Sequence, residues 1–300
     1  MAVDLLSKVI YLQPLKQADE GKPLPGWWGR AAHALLLDVV RQEDPALAEK
    51  LHDESVLRPF TVSTLMGRFA GGRLELERPY RLRLTAIEAE MAAVLRQAVQ
   101  AGALAVGKTL ELDYLPFRVV DPHPQPLSQE ERGEDLWQAE TSFQELSAPY
   151  LLAKESPPRR ITLQFASPTT FKGSGKHIPI PLPELVFGSL LERWNAFAPI
   201  AFPPEARRYA SECLAVSRYI LSTRPVRTKP DALHIGAVGE VEYSTINFDR
   251  YWMSVLAVLA EYALFSGVGA VTTMGMGQCL YVSKKRTTNS GSEQYFKEAG

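Results

Sequence analysis

Five histidines supply this chain's side chains best able to give and take a proton near pH 7. Two of them have neighbours that suit such chemistry. His33 shares one helix face with Arg30, Leu37 and Arg41, offset from an apolar stripe of Ala32, Leu35, Leu36, Val39 and Val40. A histidine flanked by arginines on that strip suits a phosphate ligand better than a core. His52 ends the short segment Pro45 to His52, which opens with a helix-starting proline. There it can move a proton, or simply favour a helix C-terminus through its charge. Arg58, just before Pro59, offers a planar guanidinium for a phosphate oxygen, or a plain surface cation. His123 lies in an acidic, proline-rich stretch and is given no role. His177 and His234 read as structural or ligand-facing.

A second group of residues could bind rather than react. From Phe265 to Gln278 the chain reads Phe-Ser-Gly-Val-Gly-Ala-Val-Thr-Thr-Met-Gly-Met-Gly-Gln, with Gly267, Gly269, Gly275 and Gly277 inside eleven residues. A dinucleotide fingerprint needs strand, glycines, helix, so that phosphate meets a helix N-terminus. Here the pattern is helix, glycines, strand, and the lysine of a Walker loop is missing. A tight structural turn is one reading. The other is a backbone-rich loop that approaches a ligand closely, with Thr272, Thr273 and Gln278 as hydrogen-bonding groups.

The net charge of −1 conceals two opposed clusters. Residues 121–140 carry six acids against Arg132 alone, a local −5, which leaves +4 on the rest of the chain. Residues 206–229 hold Arg207, Arg208, Arg218, Arg224, Arg227 and Lys229 against Glu212, a local +5. Binding of a polyanion responds to such clusters and not to the sum, though a charge run also suits a solvated face. Cys213 and Cys279 are far apart, which argues against a zinc site or a disulfide framework and fits a reducing cytosol. No HExxH and no dense carboxylate set points to a metal, so neither metal nor cofactor is expected. Asp4 and Lys8 interrupt the start, so no signal peptide is expected, and Glu261 breaks the apolar stretch Tyr251–Leu264, too short for a bilayer. A cytoplasmic location follows as an expectation.

These groups must be held by something, and the periodicity says what. Strand patterns at Lys8–Pro14, Phe60–Met66, Tyr80–Thr85 and Thr109–Val119 alternate with helices at Trp27–Arg41, Pro45–His52 and Ile87–Val99, giving β-α-β-β-α-β. The second half repeats it: a strand at Arg160–Phe165, a helix at Leu182–Trp194, strands at Leu214–Leu221 and His234–Tyr243, the helix Tyr251–Leu264, the glycine loop and a strand at Cys279–Val282. The expected fold class is α+β, two tandem ferredoxin-like (βαββαβ) domains. The expected divisions are 1–120, a flexible acidic, proline-rich linker at 121–140, a second domain at 141–285, and a polar tail at 286–300.

Four stretches, in this order, resemble the Cas6 family of CRISPR endoribonucleases: Leu51 to Leu65, Phe165 to Lys172, Pro181 to Phe187 leading into Leu191-Glu-Arg-Trp194, and the glycine loop. The acidic insertion is no part of that pattern. The resemblance implies metal-independent cleavage of CRISPR repeat RNA into mature guides. The ribose 2′-OH attacks the adjacent phosphate, a base and an acid move protons, and a cation steadies the phosphorane, leaving a 5′-hydroxyl and a 2′,3′-cyclic phosphate. It implies catalytic roles for His52, where the family often places its histidine, and for His33 and Arg58. Some members carry a tyrosine on the first helix; the matching position here is Leu37, so His33, one turn earlier, is the substitute. RNA binding is expected of the glycine loop, of Lys172 and Lys176 around a Gly-Ser-Gly turn, and of Arg218, Arg224 and Arg227. Other effector subunits and a homodimer are further partners to test, with no membrane. The rival readings are a non-catalytic repeat-RNA-binding protein of the same fold and a nucleotide-using enzyme.

Overall fold

The computed structural model describes residues 3–19, 21–51, 57–121, 135–173, 175–229 and 231–283. The first half opens with β1 (Leu5–Pro14) and α1 (Gly29–Glu43), whose stripe of Ala32, Leu35, Leu36, Val39 and Val40 is buried. The helix α2 (Pro45–Lys50) has proline in its first turn and is capped by the Asp44 carboxylate, which accepts from Leu47 N at 2.9 Å. Then come β2 (Phe60–Val62), a small hairpin of β3 (Phe69–Ala70) and β4 (Arg73–Leu74), β5 (Tyr80–Ala86) and α3 (Ala89–Gln100). The expected single strand at Thr109–Val119 is instead a hairpin of β6 (Thr109–Leu112) and β7 (Leu115–Val120). Asp113 and Tyr114 both take left-handed φ, the backbone of a two-residue hairpin turn, and reverse the chain there. The expected strand at Phe60–Met66 ends at Val62, although Met66 still bridges to Arg81. The sheet order is β2-β5-β1-β7-β6, all antiparallel.

A connecting strand, β8 (Ala139–Thr141), pairs with the start of β1 on the edge that β7 leaves free. It leads into α4 (Phe143–Leu151), where Ser142 and Glu145 form a reciprocal capping box. The second half has β9 (Arg160–Thr169), a hairpin of β10 (Phe171–Gly173) and β11 (Lys176–Ile178), α5 (Pro183–Phe197), α6 (Glu205–Cys213), β12 (Leu214–Lys229), β13 (Ala232–Thr245), α7 (Arg250–Ser266) and β14 (Cys279–Tyr281). The expected strands at Leu214–Leu221 and His234–Tyr243 are the inner parts of a longer hairpin. Its tip runs beyond β9, which pairs β13 only over residues 237–244. The sheet order is β12-β13-β9-β14. Taken in chain order, the four main strands of each half lie 4-1-3-2, so both sheets follow the ferredoxin-like plan and the α+β reading stands.

Strand alternation gives each sheet two faces. In β5, Leu82 and Leu84 enter the first core, while Arg83 turns away toward the second half. Between the sheets' outward faces lies a cleft of about 450 Å³, lined by Trp27, Arg81, Arg83, Trp137, Arg224 and Gly275 among others. Helix α7 is apolar nearly all round and buried from Met253 to Ser266 apart from the half-buried Glu261, as befits a helix enclosed on every side. Among the described residues no helix is long and apolar enough to cross a membrane.

Candidate active site

His33 stands on α1 where the two halves meet. Its Nδ1 lies 2.9 Å from the backbone carbonyl oxygen of Thr273, 240 residues on. A carbonyl only accepts, so Nδ1 carries the hydrogen and the neutral ring keeps its lone pair on Nε2. The ring packs on Phe60 at 5.5 Å between centroids. Burial lowers the His33 pKa below its usual 6.5; the Thr273 bond raises it in part, and the charge of Arg58 lowers it again. Arg58 is half-buried, and its charge is felt at the His33 ring. His52, the first histidine expected of the site, falls outside the described residues. Leu37 packs against the first core and so supports α1.

The glycine loop is what His33 touches. Its 3₁₀ turn at Thr272–Met274 is bracketed by left-handed residues, Val271 and Gly275. The loop is folded against protein on most sides, which corrects part of the binding expectation. A Cβ on Gly275 would lie 2.8 Å from Thr64 N, one on Gly277 would lie 2.2 Å from the Val268 carbonyl oxygen, and one on Gly269 would lie 2.3 Å from that of Thr170. Gly267, at φ 63, ends α7. These close approaches are to the chain's own backbone, and only Gly269 of the four is partly exposed. Thr272 is buried, and its Oγ1 accepts from Arg193 Nη2 at 2.7 Å. Gln278 is buried too: its Oε1 accepts from Arg83, its Nε2 donates to the Val62 carbonyl at 3.0 Å, and its backbone N–H donates to Ser167 Oγ. Both side chains are therefore engaged inside the protein, not held out to a ligand. Thr273 remains half-exposed and meets His33 through its carbonyl.

The cations expected to follow phosphates are exposed on strands of the second half. Lys172 and Lys176 are exposed on the β10–β11 hairpin. Arg218, Arg224 and Arg227 are exposed on β12, and Arg224 reaches the cleft. Tyr219, 67% exposed on the same strand, was not foreseen; an aromatic beside Arg218 was the available signal. His177 and His234 pair edge to face at 4.7 Å on the second half, remote in sequence from the His33 cluster. No group of three or more His, Cys, Asp or Glu among the described residues is arranged to hold a metal ion.

Two residues that matter to this geometry were missed by sequence reasoning. Trp27 Nε1 donates to the Met274 carbonyl at 2.6 Å, one residue beyond the carbonyl that holds His33. Arg83, 2% exposed, donates from Nε to Ser7 Oγ at 2.9 Å, to the Gln278 side chain, and to the Leu264 carbonyl in the last turn of α7. That carbonyl belongs to the negative end of the helix dipole, which suits a cation whose hydrogen-bond partners here are neutral. Burial pulls the Arg83 pKa down to about 9.

Comparison with known proteins bears on the fold and on the family the chain is similar to. The sequence profile of a family described as CRISPR-associated endoribonuclease Cas6 matches residues 163–279, from β9 through the glycine loop to the start of β14. Proteins named CRISPR-associated endoribonuclease Cas6 from two strains of Mycobacterium tuberculosis are 28% identical over 120 residues, 40% of this chain. The match spans 38% of the length of those curated relatives. Solved structures extend the likeness along the chain. Thermus thermophilus Cas6 is 25% identical with a TM-score of 0.65, covering 94% of this chain and 100% of its own. A Cas6 product complex is 26% identical at a TM-score of 0.72 with the same coverage. A histidine-to-alanine mutant of a Cas6 protein, also 26% identical, gives 0.68 over 94% and 100%.

Proposed function

We propose, on the premise that this chain is one of the Cas6 family, that it cleaves CRISPR repeat RNA in the precursor transcript to give guide RNAs. His33 is the general base and Arg58 the phosphate cation. The observation that carries the reading is the bond from His33 Nδ1 to the Thr273 carbonyl, with Arg58 acting on the same ring. It leaves the Nε2 lone pair free, with the charge of Arg58 felt at the ring, at the junction of two ferredoxin-like halves. The lowered pKa keeps that ring neutral at pH 7, the state a base requires. The ribose O2′ gives its proton to Nε2 as it attacks phosphorus. The P–O5′ bond breaks, and the charge on the phosphorane's non-bridging oxygens is met by Arg58. The products are a 2′,3′-cyclic phosphate and a 5′-hydroxyl. His52 is the acid that protonates O5′, a role that rests on the Leu51–Leu65 resemblance alone. The exposed cations of β10, β11 and β12 track the RNA backbone.

The test is single-turnover cleavage of a repeat transcript. Cleavage should survive EDTA, stop when the scissile 2′-OH is replaced by hydrogen, and slow about 10²–10⁴-fold in His33→Ala with repeat affinity held within a few fold. A wild-type protein that binds the transcript and never cuts it would favour the non-catalytic binding reading. An EDTA-sensitive cut that tolerates the deoxy substitution would mean a metal-activated water instead.

A further inference from the structure

The glycine loop comes from the second half of the chain, yet two of its carbonyls are held by the first half, by the start of α1 and the residues just before it. Three of them converge there. His33 donates to the Thr273 carbonyl at 2.9 Å and Trp27 Nε1 to the Met274 carbonyl at 2.6 Å. Gly29 has no side chain, and a Cβ there would fall 1.8 Å from the Met274 oxygen and 2.6 Å from Trp27 Nε1. The loop is braced from behind by Arg193 on Thr272 Oγ1, by Gly269 N–H to Ser189 Oγ at 2.8 Å, by Ala270 N–H to the Thr170 carbonyl at 2.8 Å, and by the bridge between Gly275 and Ser63. It also holds Val271 at φ 63, ψ 26. A β-branched residue rarely adopts that left-handed conformation, and it persists only where its surroundings over-determine it. The strain turns the chain so that consecutive carbonyls face α1.

We propose that the Thr273 carbonyl is a tautomer lock on His33, and that Trp27, bonded to the next carbonyl, that of Met274, is the positioning residue that holds the lock in place. A neutral imidazole free in water favours hydrogen on Nε2, which would put a hydrogen where the base needs its lone pair. The bond at Nδ1 decides which nitrogen is protonated. Here that bond is supplied by the other half of the chain, so the base is competent only when the two halves are docked. Among general bases, the orienting partner is commonly a carboxylate side chain; here it is a main-chain oxygen, set by loop conformation and not by charge. Trp27 keeps the 3₁₀ turn from sliding along α1 because it grips the next carbonyl. The inference rests on His33 being the base.

The experiment uses the full chain labelled with ¹⁵N-histidine, with the His33 signals identified by their loss in His33→Ala. In the free wild-type protein at pH 7.5 or so, His33 should show the neutral Nδ1–H form. In Trp27→Phe, which keeps a ring but lacks the donor, His33 should shift toward Nε2–H. Single-turnover cleavage should slow about ten- to a hundredfold, short of the full loss of the base, with repeat-transcript affinity and melting temperature little changed. A wild-type His33 protonated on Nε2 would overturn the lock whether or not Trp27→Phe folds. So would a Trp27→Phe protein with wild-type rate and tautomer. If His33→Ala itself cuts at the wild-type rate, it is the assignment of the base that fails, and the tautomer spectrum still reports whether the carbonyl holds the ring.

Discussion

At the scale of the residue, the surroundings of His33 set the pH behaviour of the proposed reaction. Burial and Arg58 outweigh the raising effect of the Thr273 carbonyl, so the folded pKa lies below the usual 6.5. The neutral ring is the active base. The rate of the chemical step should therefore fall on the acid side with a midpoint below the usual 6.5, as His33 takes up its proton. Linkage has the same sign for stability. A histidine whose folded pKa is depressed contributes stability that is present above the unfolded value and is lost as pH falls through the folded one. Single-turnover rates and denaturant midpoints measured between pH 5 and 8 or so check both, and a rate midpoint above 6.5 would place the titration on another group. His33 was legible as a candidate because arginines flanked it at helical spacing. Its carbonyl partner was not, because a contact between residues 240 apart leaves no local pattern.

At the scale of the element, the glycine loop separates what local sequence carries from what docking adds. The helix–glycine–strand order is in the residues, and the structure keeps it. The burial of Thr272 and Gln278 was not in the residues, because threonine and glutamine beside glycines suit a ligand loop and a satisfied interface equally. The partners that decide the matter, Arg193 and Arg83, lie on α5 and β5. The β6–β7 hairpin was missed for a related reason: Asp-Tyr is not one of the Asn-Gly or Asp-Gly pairs that announce such turns. By contrast the stripe of α1 and the β-α-β-β-α-β element order followed from apolar periodicity, which needs no distant partner. The loop's packing also fixes a prediction. Gly275→Val would force a Cβ to 2.8 Å from Thr64 N at φ 91. We expect it to cost roughly 2 kcal/mol or more of stability, and to slow cleavage with it, since the same turn carries the Thr273 carbonyl. Denaturant unfolding and single-turnover cleavage on one preparation check this. A variant of unchanged stability that has lost only repeat-transcript affinity would return the glycine to the ligand side of the loop.

At the scale of the whole molecule, the two ferredoxin-like halves are joined more tightly than their repeated topology suggests. Leu5 of β1 and Ile87, after β5, belong to the apolar cluster of the second half. Helix α7 of the second half packs on β1, β2 and β5 of the first. Across this seam Arg83 is the fixed point: it gives its hydrogen bonds to the last turn of α7, to Gln278 and to Ser7, and it stacks on Trp137 at 5.0 Å. An apolar core shared between halves, with a buried cation satisfied only by both, should make unfolding a single event. Calorimetry of the full chain should give one transition whose van't Hoff and calorimetric enthalpies agree. Arg83→Met keeps much of the volume but leaves the Leu264 carbonyl and the Gln278 and Ser7 oxygens without their donor. At about 1–3 kcal/mol for each acceptor left buried and unpaired, the variant should lose roughly 3 kcal/mol or more and broaden or split that transition as the halves loosen. Because the Thr273 carbonyl reaches His33 only across the same seam, cleavage should fall in step with that loosening. Two well-separated transitions already in the wild-type protein would mean that the halves fold independently and that the seam is too weak to hold the proposed base in register.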